Sequence, residues 1–463
     1  MAQDKRIEQD SLGEVAVPTD AYWGASTARA RENFPVSGIT FPPLFIAAIA
    51  LVKEAAARVN GELGLLDEER AEAVAEAAGE AGRGELGDQF GLDIFQTGSG
   101  TSTNMNVNEV IAARANEKLT GKRGGRSPVH PNDHVNLGQS SNDVMPTALH
   151  VAAARRVAEE LLPAMEGLRQ ALAAQGERFA DLPKIGRTHL QDAVPIRLGQ
   201  EFGGWARQVE AGRERIEQAA AGLRELALGG TAVGNGVNTH PEFAARVIER
   251  INRVTGLDFR RAADGFEAQA CRDGAVFLSG ALKAYAGGLI KIAGDLRWLA
   301  SGPRCGIGEI ELPSLQPGSS IMPGKVNPVI PEAVIQAAVQ ITGNDTTVAL
   351  AGQMGRFELN AMIPVIAHNL LQSIGLAASA SRILAEKCVA GIEAREERCR
   401  ENLSRSLALA TYLVPVIGYD KAARVSRRAY DRGITVKEVV VEEGLMSGAE
   451  FTELLARAGV EGM

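Results

Sequence analysis

Cysteine is scarce in this sequence: 463 residues hold four, Cys271, Cys305, Cys388 and Cys399. No pair is spaced C-x-x-C and none stands near a histidine at a zinc-site spacing. The four read as reduced thiols of a cytoplasmic protein. An excess of basic charge is missing too. Lys and Arg total 49 against 57 Asp and Glu, a net charge of -8. That balance argues against nucleic acid as the main partner. It leaves anionic small molecules open, because a site needs only a local positive excess. Long apolar runs are absent: the longest, Leu44 to Val52, is too short to span a bilayer. The charged segment Met1 to Asp10 lacks the apolar core of a signal peptide, so no membrane association is expected. The six histidines include no H-E-x-x-H pair, so no metal site is expected. Gly318 to Lys325 resembles a phosphate loop but has one residue too many between its glycines, and Val326 replaces the magnesium-holding hydroxyl. Gly98-Ser99-Gly100 lacks the third glycine of a dinucleotide fingerprint. Neither ATP nor NAD is supported. There is no internal repeat and no low-complexity linker.

What is present is helical periodicity. Apolar residues make up 45% and charged residues 23%, as in ordinary globular proteins, and the length exceeds one compact core. The sharpest pattern is Leu278, Leu282, Tyr285, Leu289, Ile292, Leu296 and Leu299, a heptad seam. A second runs through Val144, Ala148, Val151, Ala158, Leu161, Met165, Leu168 and Leu172, with Asn142 or Asp143 as N-cap. A third covers Ile363, Ile366, Leu370, Ile374, Ala377 and Leu384. Phe202 to Leu228 and Pro331 to Leu350 are rich in alanine and other helix formers. Helices of this length predict a bundle. Their apolar faces on more than one side predict burial between subunits as well as within one. The chain reads as three regions: 1–139, richer in glycine, proline and short elements; 140–395, the long helices; and 396–463, a small helical domain. The segments of that last domain are Glu401 to Leu413, Lys421 to Arg432, Val436 to Glu443 and Ala449 to Ala458.

Four loops differ from the rest. They are Gly98 to Asn106, His130 to Asp133 running on to Gln139–Asp143, Gly186 to Asp192, and Gly318 to Pro328. Each combines glycine with Ser, Thr or Asn just before a helical segment. Hydroxyl, amide and backbone N–H donors at helix N-termini are what a carboxylate needs. Any one such loop is accounted for by turn and N-cap chemistry. Four together, one with a lysine and one with a histidine, point to an anion site. His189 lies in a polar loop beside Thr188 and Asp192, and His130 in a Pro-Asn-Asp turn. His134, His150, His240 and His368 fall on or near helices and read as surface or core residues.

On these loops the chain resembles the class II fumarases of the aspartase/fumarase superfamily over essentially its whole length. Gly318 to Pro328 is similar to the superfamily signature G-S-S-x-M-P-x-K-x-N. Gly98 to Asn106, Gln139 to Asp143 and Arg297 to Pro303 match as well. The third loop separates the branches: fumarases read G-R-T-H there, and aspartate ammonia-lyases G-R-T-Q. This chain has His189. His240 to Phe243 and Cys305 to Ile310 also resemble fumarases. Asn327 to Glu332 and Gly343 to Thr347 fit the aspartases too, and His134 stands where many fumarases have Asp. An aspartate ammonia-lyase and a catalytically silent superfamily member stay open as alternatives.

The resemblance implies a mainly α, three-domain chain whose long helices form the core of a homotetramer, each active site drawing loops from three chains. It implies a cofactor-free hydratase acting on fumarate and malate. By resemblance, Ser319 is the base that takes a proton from carbon. Lys325 and Asn327 clamp the doubly negative aci-carboxylate intermediate, whose stabilisation is the main task. Loop N–H groups and Lys325 would stabilise a Ser319 alkoxide. His189 handles the proton of water, histidine being the side chain whose ordinary pKa lies near neutrality. Glu332 pairs with it. Ser99, Gly100, Thr101, Ser140, Ser141, Asn142, Thr188, Ser320 and Val326 would hold the substrate, and His130, Pro131, Asn132 and Asp133 a second dicarboxylate.

Overall fold

The computed structural model describes residues 4–460; the first three residues of the Met1–Asp10 segment and the last three of the C-terminal region lie outside it. The fold is mainly α. Among the described residues, β structure amounts to five two-stranded pairs and one isolated bridge. The longest helices are Leu198–Ala221, Asp273–Leu299, Val329–Gly352 and Ile363–Lys387, of 24 to 27 residues. At 1.5 Å per residue each is roughly 36–40 Å long.

The apolar periods fall on these helices. Every residue of the seam from Leu278 to Leu299 is buried, and so is every residue of the period from Ile363 to Leu384. The remaining period runs along Ser141–Arg156, passes through one π-type turn at Val157–Leu161 and continues as Leu162–Arg178. Its cap is Ser140, not Asn142 or Asp143. The Ser140 hydroxyl accepts the Asn142 N–H at 3.2 Å, and the Asp143 carboxylate accepts the Ser140 N–H at 2.9 Å. The acid three residues after a hydroxyl is the reciprocal partner of a capping box. The stretch Phe202 to Leu228 is also corrected. Its helix starts at Leu198, directly after a strand, and stops at Ala221 before Gly222; Glu225–Leu226 then forms a short strand. Val329–Gly352 begins before Pro331, because a proline in the first turn loses only an N–H that has no intrahelical partner.

Asp273–Leu299 and Ile363–Gly391 are long and apolar enough to cross a membrane by length and composition alone, with 44% and 61% of the relevant windows buried in the chain. Uninterrupted apolar runs do not reveal them, because Lys283, Lys291 and Asp295 break the first, and His368, Asn369 and Gln372 the second.

The chain divides into two compact units, one of residues 1–163, 214–286 and 339–378, the other of 164–213, 287–338 and 379–463. In the first, Pro43–Glu62 packs on Glu68–Gly82, which packs on Thr101–Thr120, and Ser141–Arg156 packs on Pro43–Glu62. The contact faces are largely alanine, including Ala71, Ala75 and Ala78. A Cβ on Gly61 would stand 3.0 Å from that of Ala71, so the helices meet through small residues. The N-terminal part thus holds two 20-residue helices where short elements were expected. Gly64, Gly84 and Gly121 take positive φ just past helix ends, as C-terminal caps do.

In the second unit, Pro183–Thr188 pairs antiparallel with Gln191–Arg197. A C-terminal cluster packs Leu409, Leu413, Val425, Val439, Phe451 and Leu455 together. The expected segment Glu401 to Leu413 is two elements: Glu396–Ser404 ends, and Ser406 caps a tighter turn, Leu407–Leu413, by accepting the Ala408 N–H. Capping boxes at Thr435/Glu438 and Ser447/Glu450 start the last two helices. Phe451 is wholly buried. Phe451→Ala is expected to destabilise this cluster by about 3–5 kcal/mol, read as a lower urea midpoint with faster amide exchange confined to residues 403–460.

Candidate functional site

In the first unit, two helix N-termini are brought side by side. Gly100, at φ 75°, turns the chain into Thr101–Thr120. Ser140 caps Ser141–Arg156. A Cβ on Gly100 would fall 2.6 Å from the Met145 methyl, so the approach of the two segments requires glycine. Between them runs a chain of hydroxyls: Ser99 to Thr101 at 2.7 Å, and Thr101 to Ser141 at 2.7 Å. Two positive dipole ends with three hydroxyls between them offer the donors that a carboxylate needs. The Asn142 side chain donates to the Ala232 carbonyl at 2.8 Å, which fixes its amide beside the same group.

Sequence reasoning missed the support beneath this group. Asp143 is completely buried and accepts N–H groups from Ser140, Gly229 and Thr231 at 2.9, 3.0 and 3.0 Å. Lys53, also buried, donates to Asn136 Oδ1 at 2.8 Å and Gln139 Oε1 at 3.0 Å. Burial pushes the Asp143 carboxyl up to about 6, against the backbone donors and the charge of Lys53. Burial pulls the Lys53 ammonium down to about 7, with Asp143 pulling the other way. The one sign of it in the sequence is a lone lysine ending the apolar run Leu44 to Val52.

The second expected dicarboxylate group is gathered in one turn of the same unit. Pro131–Val135 is a single π-type turn. His130 Nδ1 accepts the N–H groups of Asn132 and Asp133 at 3.2 and 3.1 Å. A neutral ring accepting at Nδ1 carries its proton on Nε2, leaving that atom as the donor. His134 is not idle: its Nδ1 accepts the His130 N–H at 2.8 Å.

The remaining candidates lie in the second unit. Gly186 to Asp192 is not a loop leading into a helix, as the sequence suggested, but the end of a hairpin. Thr188 pairs with Gln191, and His189 and Leu190 form its exposed two-residue tip at φ 57° and 60°. The signature segment Gly318 to Pro328 closes on itself. Gly318 N donates to the Lys325 carbonyl at 2.8 Å, and Asn327 Nδ2 to the Gly318 carbonyl at 2.6 Å. A Cβ on Gly318 would lie 2.5 Å from the Lys325 oxygen. Ser319 Oγ accepts the N–H groups of Met322 at 2.9 Å and Ile321 at 3.3 Å. A cavity of about 590 Å³ opens beside this loop, lined by Lys325, Val326, Asn327, Glu332, Arg297 and Trp298 among others. The Glu332 carboxylate lies 3.8 Å from the Arg297 guanidinium. Ser320 is exposed.

A family profile described as lyase matches residues 13–343, and another, described as fumarase C C-terminus, matches 409–458. Fumarate hydratase class II of Nitrosomonas europaea is 53% identical over 446 residues, 96% of each chain. That of Halobacterium salinarum is 56% identical over 460 residues, 99% of this chain and 98% of the other. Among solved structures, the recombinant class II fumarase of Schistosoma mansoni superposes with a TM-score of 0.94 at 39% identity, covering 97% of this chain and 98% of that one. The cobalt-bound fumarate lyase:delta crystallin of Brucella melitensis gives 0.92 at 46%, covering 98% of both.

The Lys53 geometry yields a pH prediction. Its folded pKa, about 7, is below its ordinary value of 10.5. Between those values the unfolded chain holds a proton that the folded chain lacks, so Lys53 contributes stability that grows as pH rises through this window. From pH 7 to 9 the gain is about 2 kcal/mol. Lys53→Met is expected to lack that gain, measured as the change in urea-unfolding free energy between the two pH values in each protein.

Proposed function

We propose how this chain works from one premise: it belongs to the class II fumarate hydratases of the aspartase/fumarase superfamily and catalyses the reversible addition of water to fumarate to give malate. The substrate is a small dianion, and malate is reached or left through a carbanion beside a carboxylate. Resonance into that carboxylate makes the intermediate doubly negative, so fixed positive charge and donors must meet it. Lys325 supplies the charge and Asn327 the amide. The hydroxyls of Ser99, Thr101, Ser140, Ser141 and Thr188, the Asn142 amide, and the segments holding Gly100, Ser320 and Val326 bind the two substrate carboxylates.

Ser319 takes the proton from carbon, and the observation that carries this is the pair of N–H groups already aimed at its oxygen. A serine hydroxyl is a weak base unless its alkoxide is stabilised. Two backbone donors become charge-assisted bonds when the oxygen is negative, roughly doubling in strength. In the malate-to-fumarate direction the base is the Ser319 alkoxide: the C–H electron pair stays on carbon while the proton moves to that oxygen and restores the neutral hydroxyl. The C–O bond then breaks, and His189 gives a proton to the departing hydroxide. Hydration runs the same steps in reverse. Glu332 orients the His189 ring, a pairing we assign to the assembled protein.

We assign the assembly as a homotetramer. Phe277 and Trp298 on one long helix, and Val339 and Leu350 on another, are each more than half exposed in the single chain. Apolar side chains in such numbers on long helices support burial against further copies. His130, Pro131, Asn132 and Asp133 form a second dicarboxylate site, with His130 Nε2 as a donor. The four unpaired cysteines support a reducing, cytoplasmic setting.

Ser319→Ala and His189→Asn are each expected to lower kcat at least about 100-fold while size-exclusion chromatography shows an unchanged assembly. The assay is loss of fumarate ultraviolet absorbance without ammonia. Full activity in an assembled Ser319→Ala protein would remove that serine from the mechanism.

A further inference from the structure

We propose that Glu309 is a positioning residue for His189, holding the hairpin that carries it through a buried carboxylate shared by Arg187 and Lys184. The proposal rests on the reading of His189 as the group that moves the proton of water. The hairpin tip is not self-stabilised. Two-residue turns of this kind favour Asn-Gly, whose residues tolerate positive φ. Here both positions carry full side chains, at a cost of roughly 1–2 kcal/mol each, and both are exposed. The pairing below them slips: Ile185 faces Pro195, but Arg187 faces Asp192, so Gly186 stands against Ala193 and Val194. A bulge of this kind locally increases twist and re-aims the residues beyond it. A tip with strained dihedrals above an irregular ladder has to be fixed from underneath.

Underneath lies a closed set of charges. Arg187 forks onto Glu309 with two bonds, 2.9 and 2.7 Å. Lys184, wholly buried, reaches the same carboxylate at 3.2 Å and Glu201 at 2.9 Å. Asn402 adds a donor to Glu309 at 3.1 Å. In a flat strand, residues three apart project to opposite faces; here the head groups on either side of the slip meet on one acid. Glu309 is itself fixed at both backbone ends. Its N–H donates to the Leu299 carbonyl, and its carbonyl accepts the Arg395 N–H, each at 2.9 Å. The acid is therefore a rigid post between a helix end and the segment entering Glu396–Ser404.

Stability alone is a weak reason for such a cluster. Apolar residues of similar volume commonly serve as well in a buried position. A planar guanidinium forked on a carboxylate supplies fixed orientation, which lysine or an apolar contact does not. Arg187 is two residues from His189, so a shift in its fork is passed along one turn of backbone to the imidazole. Misplacement by about 1 Å can cost on the order of 100-fold in rate.

The test uses the assembled enzyme with Glu309→Gln, Arg187→Lys and, as reference, His189→Asn. Glu309→Gln is expected to lower kcat about 100-fold and Arg187→Lys about 10-fold, with KM changed far less. If Glu309→Gln does not assemble, Arg187→Lys decides on kcat. Variants that assemble, melt at lower temperature and keep wild-type kcat, while His189→Asn is inactive, overturn the proposal and leave only a structural role. Wild-type activity in His189→Asn overturns the reading beneath it instead.

Discussion

The Asp143 carboxylate sits out of contact with water and takes backbone N–H groups from Ser140 and from the distant Gly229 and Thr231. An ionised carboxylate in that position costs several kcal/mol unless donors surround it, and the positive charge of Lys53 adds to what the donors supply. The consequences spread outward. Asp143 completes the cap that starts Ser141–Arg156, so the helix N-terminus that presents Ser141 stays where the Thr101 hydroxyl can reach it. Lys53 holds the Asn136 and Gln139 side chains between the π-type turn and that cap. The Asn136 oxygen also receives the amides of Asn104 and Asn108, at 3.3 and 3.2 Å. Lys53, Asn104 and Asn108 thus converge on one oxygen, and this shared acceptor ties the helices Pro43–Glu62 and Thr101–Thr120 to the turn that precedes the Ser140 cap.

The second unit applies the same principle to the two groups assigned above to proton transfer. His189 stands on a strained two-residue tip and Ser319 on an exposed loop without regular structure. Loop residues ordinarily move, and a proton-transfer group that moves by an ångström loses much of its rate. The loop of Ser319 is pinned by its own backbone, with Gly318, Lys325 and Asn327 bonded across its base. Below the tip of His189 the tie is side-chain charge, Arg187 and Lys184 on Glu309.

The sequence makes the helices legible because their signal is local. A heptad of Leu, Tyr and Ile needs no partner to be read, and the structure buries all of it. The four polar loops were legible by composition, and the family resemblance rested on their residues. The hairpin was not. Pro183, Lys184 and Gly186 spoil any alternation of apolar and polar residues, and the strand is recognised only by a partner that bends back onto it. The buried charges were invisible for a related reason. Glu309 and Arg187 are 122 residues apart, and Lys53 and Gln139 are 86 apart; a charged residue looks solvated until its partner is known. The N-cap failed for a subtler cause. Asp143 is a good capping residue by type, but its place here is the acid of the box, one turn inside.

One residue links the backbone to the chemistry that distinguishes this family from its ammonia-lyase neighbours. Position 189 must tolerate a left-handed conformation, and among residues with side chains Asn, Asp and His are the ones enriched there. In the mechanism proposed above the same position gives and takes a proton near neutral pH, because water arrives with one proton too many and leaves one short. Of the residues the turn favours, histidine alone has a proton equilibrium in that range. Glutamine, the residue of the neighbouring branch, offers no such equilibrium. The hydratase identity that relatives at 53% and 56% identity attach to this chain thus coincides with a side chain suited both to the strained tip and to the handling of water.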